Sequence, residues 1–262
     1  MNKMIKFEQF ILEHKFWGKS LPDFLEWLKN KSQKEWIWLD TETTGLRGPK
    51  LEQLTQVAAI STQYDFDSNK LSETGNFNKK IKLTDETKSQ FKSPESRIKW
   101  VLSFNHYGQK GAEYFTEDGT LSDFYSWVSQ IDNPIFVIQN AEFDMKMINV
   151  RSPKKFENEV IDTKQLIQLF YLPTLQKLAE TDSKYQEIVD KIGKSDRDNG
   201  LISSSMGKIG PALGISMSGY HDALTDCRIT MEMFCKIIDF LKEHQSVDIS
   251  KYQAERIMTK RK

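Results

Sequence analysis

The stretch Trp36-Ile-Trp-Leu39-Asp40-Thr-Glu42-Thr-Thr-Gly45-Leu46 runs from an unbroken apolar segment straight into two carboxylates. An apolar run without alternation is what a central strand covered on both faces requires. Side chains alternate along a strand, so Asp40 and Glu42 point the same way. Two neighbouring carboxylates repel each other unless a cation lies between them, and hard oxygen ligands of this kind suit Mg²⁺ or Mn²⁺. The plainer reading is that Asp and Glu end a strand and Thr43-Thr44-Gly45 turns, which for an isolated pair would prevail. Their place at the end of a buried strand argues for more.

Outward from this strand, Gln56-Val-Ala-Ala-Ile60 and Lys79 to Leu83 read as the next strands of a meander. Residues 85–131 are mostly polar, with helical stretches around Arg97–Phe104 and Leu121–Ile131. Pro134-Ile-Phe-Val-Ile138 is a second buried strand, followed by a helix from Ala141 to about Val150, and Val160-Ile161 is short and extended. Helices are expected at 163–171, 174–192, 206–213 and 222–243, with a Gly/Ser/Asp/Asn-rich loop at 193–205. Strands followed by alternating helices and strands indicate an α/β domain, a mixed sheet with helices on its faces. Residues 1–34 read as an N-terminal helical extension. In its first helix Phe7, Phe10 and Ile11 share a face; in its second Ser20 is the cap and Pro22 lies in the first turn, ahead of Leu21, Phe24, Leu25 and Leu28 at helical spacing. The main domain is expected over 35–245, and 246–262 as a basic, frayed tail.

Composition sets limits on function. The chain has 262 residues, 37 Lys and Arg against 37 Asp and Glu, and 38% hydrophobic residues. That length can bury a sizeable core without disulfides. Zero formal charge argues against a sequence-independent duplex binder, which carries a positive excess. It leaves room for an enzyme holding a few nucleotides in a cleft, where metal ions supply positive charge locally. No apolar run approaches a membrane span, and the N-terminus lacks a signal peptide's apolar core, so a cytoplasmic protein is expected. Cys227 and Cys235 are the only cysteines. On one helix they would lie about 12 Å apart along its axis, too far to bridge, so reduced thiols are expected.

Two later segments carry further acids. Gln139-Asn140-Ala-Glu-Phe-Asp144 follows a buried strand and opens a helix, with Asn140 as expected cap and Asp144 in the first turn, where the helix dipole favours an anion. Read alone, this segment supports a favourable first-turn carboxylate as well as a functional one. Glu142 is expected to face solvent, and Asp162 reads as a cap for the helix at Thr163. In Tyr220-His221-Asp222-Ala-Leu-Thr-Asp226, positions 221 and 226 would lie about 140° apart on a regular helix. They converge only if His221 lies in the loop before the helix, with Asp222 as its N-cap. Asp222 is then structural and Asp226 a ligand.

In their order and combination, Asp40-Thr-Glu42, Asn140-Ala-Glu-Phe-Asp144 and His221-Asp-Ala-Leu-Thr-Asp226 resemble the motifs of the DEDDh exonucleases, over roughly residues 35–243. Met206 to Ile215 resembles that family's helix and glycine turn. The resemblance implies a ribonuclease-H-like fold with a five-stranded mixed sheet. It implies 3′–5′ hydrolysis by a pair of Mg²⁺ or Mn²⁺ ions, with Asp40, Glu42, Asp144 and Asp226 as metal ligands and Asp40 bridging. His221 would be the general base. Thr43, Thr44, Gly45 and Leu46 would meet the terminal nucleotide of a single strand with a free 3′ end. Asn140 and Phe143 are further candidates for substrate contact, core packing being the plainer role for Phe143.

Gln139 stands where family members often carry His, and residues 85–130 and 174–205 are longer than the matching stretches of compact members. The inserts resemble phage exodeoxyribonucleases and favour single-stranded DNA. Action on RNA or short oligoribonucleotides is the alternative, since the motifs address phosphate and metal and not the 2′-hydroxyl. A module that kept the fold and lost catalysis is disfavoured by the presence of all four acids and the histidine. Lys79, Lys80, Lys82, Lys88, Lys92, Arg97 and Lys99 could follow a nucleic-acid backbone, though a solvated face is the plainer reading.

Overall fold

The computed structural model describes residues 20–90, 96–152 and 154–260. Six strands build one sheet: β1 (Glu35–Thr43), β2 (Leu54–Asp65), β3 (Lys70–Ile81), β4 (Tyr114–Phe115), β5 (Ile135–Ile138) and β6 (Val160–Asp162). Their spatial order is β4-β3-β2-β1-β5-β6. The first three form an antiparallel meander, and β4, β5 and β6 each join in parallel. The ribonuclease-H-like mixed sheet is as expected, but it has six strands, not five. The extra strand, β4, pairs only Tyr114 and Phe115 with Lys80 and Ile81, too few residues to leave a period in the sequence. β3 starts at Lys70 and not near Lys79. Its first half is exposed and polar, so no apolar alternation marks it.

Strand β1 separates two cores. Trp36 and Trp38 face one, and Ile37 and Leu39 face the other, which is why the run shows no alternation. On the tryptophan side lies the long helix at Ala223–Glu243, whose Phe234 meets Trp36 at 5.5 Å and Trp38 at 5.3 Å between ring centroids, both edge-on. The helix α1 (Leu21–Lys31) packs on the same side through Leu21, Phe24, Leu25 and Leu28. Ser20 and Asp23 form its capping box, with Pro22 in the first turn, as the sequence indicated. The expected helix around Phe7, Phe10 and Ile11 lies outside the described residues.

The remaining helices are α2 (Asp85–Ser89), α3 (Arg97–Phe104), α4 (Glu117–Val128), α5 (Ala141–Arg151), α6 (Thr163–Leu166), α7 (Leu172–Ala179), α8 (Ser183–Ile192), α9 (Met206–Ala212), α10 (Ala223–Glu243) and α11 (Ser250–Lys260). The break expected near Pro173 is absent, because a π-helical turn, Ile167–Tyr171, carries the chain from α6 into α7. The break falls instead at Asp182, which caps α8.

The expected frayed tail is a correction of a different kind. Residues 250–260 form α11, and Arg256, 3% exposed, donates to the carbonyl of Ile202. Basic composition hid an amphipathic helix whose Gln253 and Arg256 point inward. Both cysteines are free thiols, Cys227 buried and Cys235 half-buried. No helix among the described residues is long and apolar enough to cross a membrane.

Candidate active site

Asp40 and Glu42 continue the parity of Trp36 and Trp38, so both emerge on the α10 side of the sheet. Glu42 pairs across the sheet with Gln56, and Gln56 with Lys80. The start of α10 is fixed against this row. Gln56 accepts from the Ala223 N–H at 3.3 Å and donates to Asp222 at 3.2 Å, and Lys80 lies 3.6 Å from the same carboxylate. Asp222 is the N-cap of α10, accepting from the Thr225 N–H. His221 precedes the helix with φ +73°. That left-handed turn brings His221 and Asp226 to one place, and the His221 N–H donates to Asp226 Oδ1 at 3.1 Å. Asp222 caps the helix as expected.

Asp144 arrives from the other side of β1, in the first turn of α5. It is 3% exposed and accepts from both the N–H (3.0 Å) and the hydroxyl (2.6 Å) of Thr41. Asn140 holds the cap position with φ +70° but does not cap. The carboxylate of Asp162 takes that role, accepting from the Asn140 and Ala141 N–H groups at 3.1 Å each while also capping α6. Asn140 is exposed and accepts from Lys164. Phe143 packs against the core on the Ile37–Leu39 side, and Glu142 faces solvent.

Electrostatics mark the cluster as short of positive charge. Burial, and then Asp144, Asp226 and Glu42, hold Asp40 well above the usual carboxylate range. Glu42 is pushed up to about 9 by burial and then by Asp226 and Asp144, with Lys80 opposing. Burial raises Asp144 to about 7 against the bonds from Thr41, and raises Asp226 to about 7 against the bond from His221. Burial and the nearby His106 lower His221 to about 4. Ligand atoms of Glu42, His221 and Asp226 lie within 4.8 Å of one another. Buried carboxylates with this little counter-charge form a site that fits divalent cations.

The segment after β1 is tightly built. Thr43 and Thr44 are buried; Thr43 donates to the Gly45 carbonyl, and Thr44 to Glu52 at 2.8 Å. A Cβ at Gly45 would sit 2.6 Å from Glu52 Oε1, so a side chain there would push against the carboxylate that Thr44 and Arg47 hold. Leu46 is 63% exposed beyond it. Sequence reading missed Thr41, Gln56 and Glu52, of which only Gln56, a polar residue opening an apolar strand, left a signal; Lys80, considered there for a nucleic-acid backbone, lies instead beside Asp222. Of the basic residues considered for nucleic acid, Lys79 and Lys88 pair with Asp123 and Asp85.

A model of the RNase_T exonuclease family matches residues 37–234, and the chain belongs to that family. No curated protein matches the chain in sequence. The fold is similar to that of exonuclease I. One such structure gives a TM-score of 0.55 at 17% identity, over 81% of this chain and 44% of that one. E. coli exonuclease I in complex with a dA16 oligonucleotide gives 0.54 at 17% identity, over 79% and 43%. This chain thus spans less than half the length of those exonuclease I chains.

Proposed function

We propose that the chain is a metal-dependent 3′–5′ exonuclease that removes 5′-mononucleotides from a single-stranded DNA end. The observation that carries this reading is the convergence of four carboxylates and a histidine, from three separate segments, in a chain of an exonuclease family.

Asp40, Glu42, Asp144 and Asp226 would hold two Mg²⁺ or Mn²⁺ ions, to which oxygen donors are suited. Such ions, when bound, activate the attacking water and stabilise the leaving oxygen. His221 stays neutral near pH 7, with an imidazole nitrogen ready to take the water's proton. The bond from its backbone N–H to Asp226 holds the turn that presents the ring. Glu42 and the backbone of Thr43 to Leu46 form the wall that accepts a terminus and stops a through-running strand. The carboxylates beside that wall would repel a 3′-phosphate. Single-stranded DNA is favoured by the fold similarity to a protein whose structure was solved with dA16.

The test is a gel with 5′-labelled single-stranded DNA, duplex DNA and RNA, in Mg²⁺ or EDTA. The single strand should give a ladder in Mg²⁺ alone, and a covalently closed circle should resist. Efficient cutting of the circle would make the enzyme an endonuclease, and faster loss of RNA than of DNA would reverse the substrate assignment.

A further inference from the structure

Helix α3 belongs to the insert between β3 and β4, and it has two unlike faces. Ile98 and Leu102, four apart, pack with Leu83 in a small core of their own. Trp100 and Phe104, also four apart, share another face and are 63% and 42% exposed. Their rings stack at 5.1 Å with 16° between planes. Phe104 in turn lies 3.9 Å from the His221 ring. The helix is tied to the site by Asn105, just past its end, which donates to the Thr43 carbonyl at 3.0 Å. A stack of rings therefore leads from solvent to the histidine of the acidic cluster.

Scattered exposed apolar side chains need no explanation. A parallel ring pair held at the mouth of an acidic cleft is different. Apolar planar surface beside a carboxylate cluster suited to divalent cations calls for a ligand with a flat unsaturated face and a negative charge that such cations would take up. An unpaired nucleotide has both. A base inside a duplex has its faces covered by neighbours, whereas an unpaired base can offer a face to an aromatic ring whatever its sequence.

We propose that Trp100 and Phe104 form a stacking platform for unpaired nucleobases of the strand entering the acidic cluster, and so select single strands over duplex. This rests on the exonuclease reading above. Trp100 gives the cleaner probe, since it is exposed and does not touch His221. A 5′-labelled single-stranded oligodeoxynucleotide is titrated with the full chain in Ca²⁺ in place of Mg²⁺ and followed by fluorescence anisotropy. Trp100→Ala should weaken binding roughly 5- to 150-fold, the worth of one base–aromatic stack. Trp100→Phe should recover most of it. Removing the base at one position near the 3′ end should weaken wild type by a similar factor and leave Trp100→Ala unaffected. Trp100→Ala binding as tightly as wild type, or losing affinity in full at every abasic position, would overturn the platform. Wild type that shortens the strand in Mg²⁺ while Trp100 proves indifferent removes the platform alone. Wild type that neither binds nor shortens it removes the exonuclease reading as well.

Discussion

Asp226→Asn should stabilise the metal-free protein while it destroys the proposed site. In wild type the Asp226 carboxyl titrates at about 7 against an ordinary 3.8, chiefly because it is buried. A group raised in the folded state contributes stability that is fully present below its unfolded pKa and is lost as pH rises through its folded one. Above pH 7 the ionised side chain thus costs about 4 kcal/mol. Asparagine keeps the acceptor for the His221 N–H, 3.1 Å away, without the charge. For a chain of this size the gain corresponds to on the order of 10 °C in Tm. The assay is thermal melting by circular dichroism in EDTA, at about pH 5 and about pH 8. The variant should melt higher at the alkaline pH and keep less than half of that margin at the acid one, which still lies above the ordinary 3.8. Adding Mn²⁺ should raise wild type more than the variant. A variant no more stable than wild type at pH 8, or one offset equally at both pH values, would refute the claim that unbalanced negative charge strains this cleft.

Asp40→Ala should abolish cleavage in the gel assay, and near wild-type turnover at saturating Mg²⁺ would sink the two-ion assignment. Asp222→Asn should keep activity, because Asn caps a helix about as well as Asp, while Asp226→Asn should lose it; reversed effects would misplace the start of α10. His221→Ala should lower turnover roughly 10²–10⁴-fold at neutral pH, and unchanged kinetics would reduce His221 to a structural role. Protons compete with metal at Asp144, Asp226 and Glu42. The acid midpoint of activity should therefore move to lower pH as Mg²⁺ is raised, and a midpoint independent of metal would point to His221 alone.

Much of this was legible in the sequence where one residue's environment is set by its neighbours in the chain. The run Trp36–Leu39 announces a strand buried on both faces, and the parity of Asp40 and Glu42 follows from it. Asp222 as cap followed from the requirement that His221 and Asp226 converge. What was not legible depends on partners distant in sequence. Nothing near Asn140 indicates that Asp162, 22 residues on, takes over its capping role. The pairing of Tyr114–Phe115 is too short for a pattern. The burial of Arg256 depends on the carbonyl of Ile202, in a loop whose conformation composition does not fix.

Both helices that deliver an aspartate to the cleft are entered through a left-handed residue that is not glycine, Asn140 and His221. Such a conformation is unfavourable for a side-chain-bearing residue and persists only where the surroundings dictate it. Here they do, through the first free N–H groups of each helix. Asp162 takes those of Asn140 and Ala141, Asp226 takes that of His221, and Gln56 takes that of Ala223. The acceptors come from β6, from α10 itself and from β2, so strand pairing fixes the turn. The turn in turn fixes where the proposed catalytic groups lie. For Asp226 the coupling is closed on itself: the carboxylate proposed as metal ligand also holds the backbone of the proposed base. Asp226 cannot be exchanged for a residue lacking an acceptor at that point without moving His221, whereas asparagine can remove the charge and leave the turn in place. Asparagine at 226 therefore separates loss of charge from loss of geometry, which alanine there would confound.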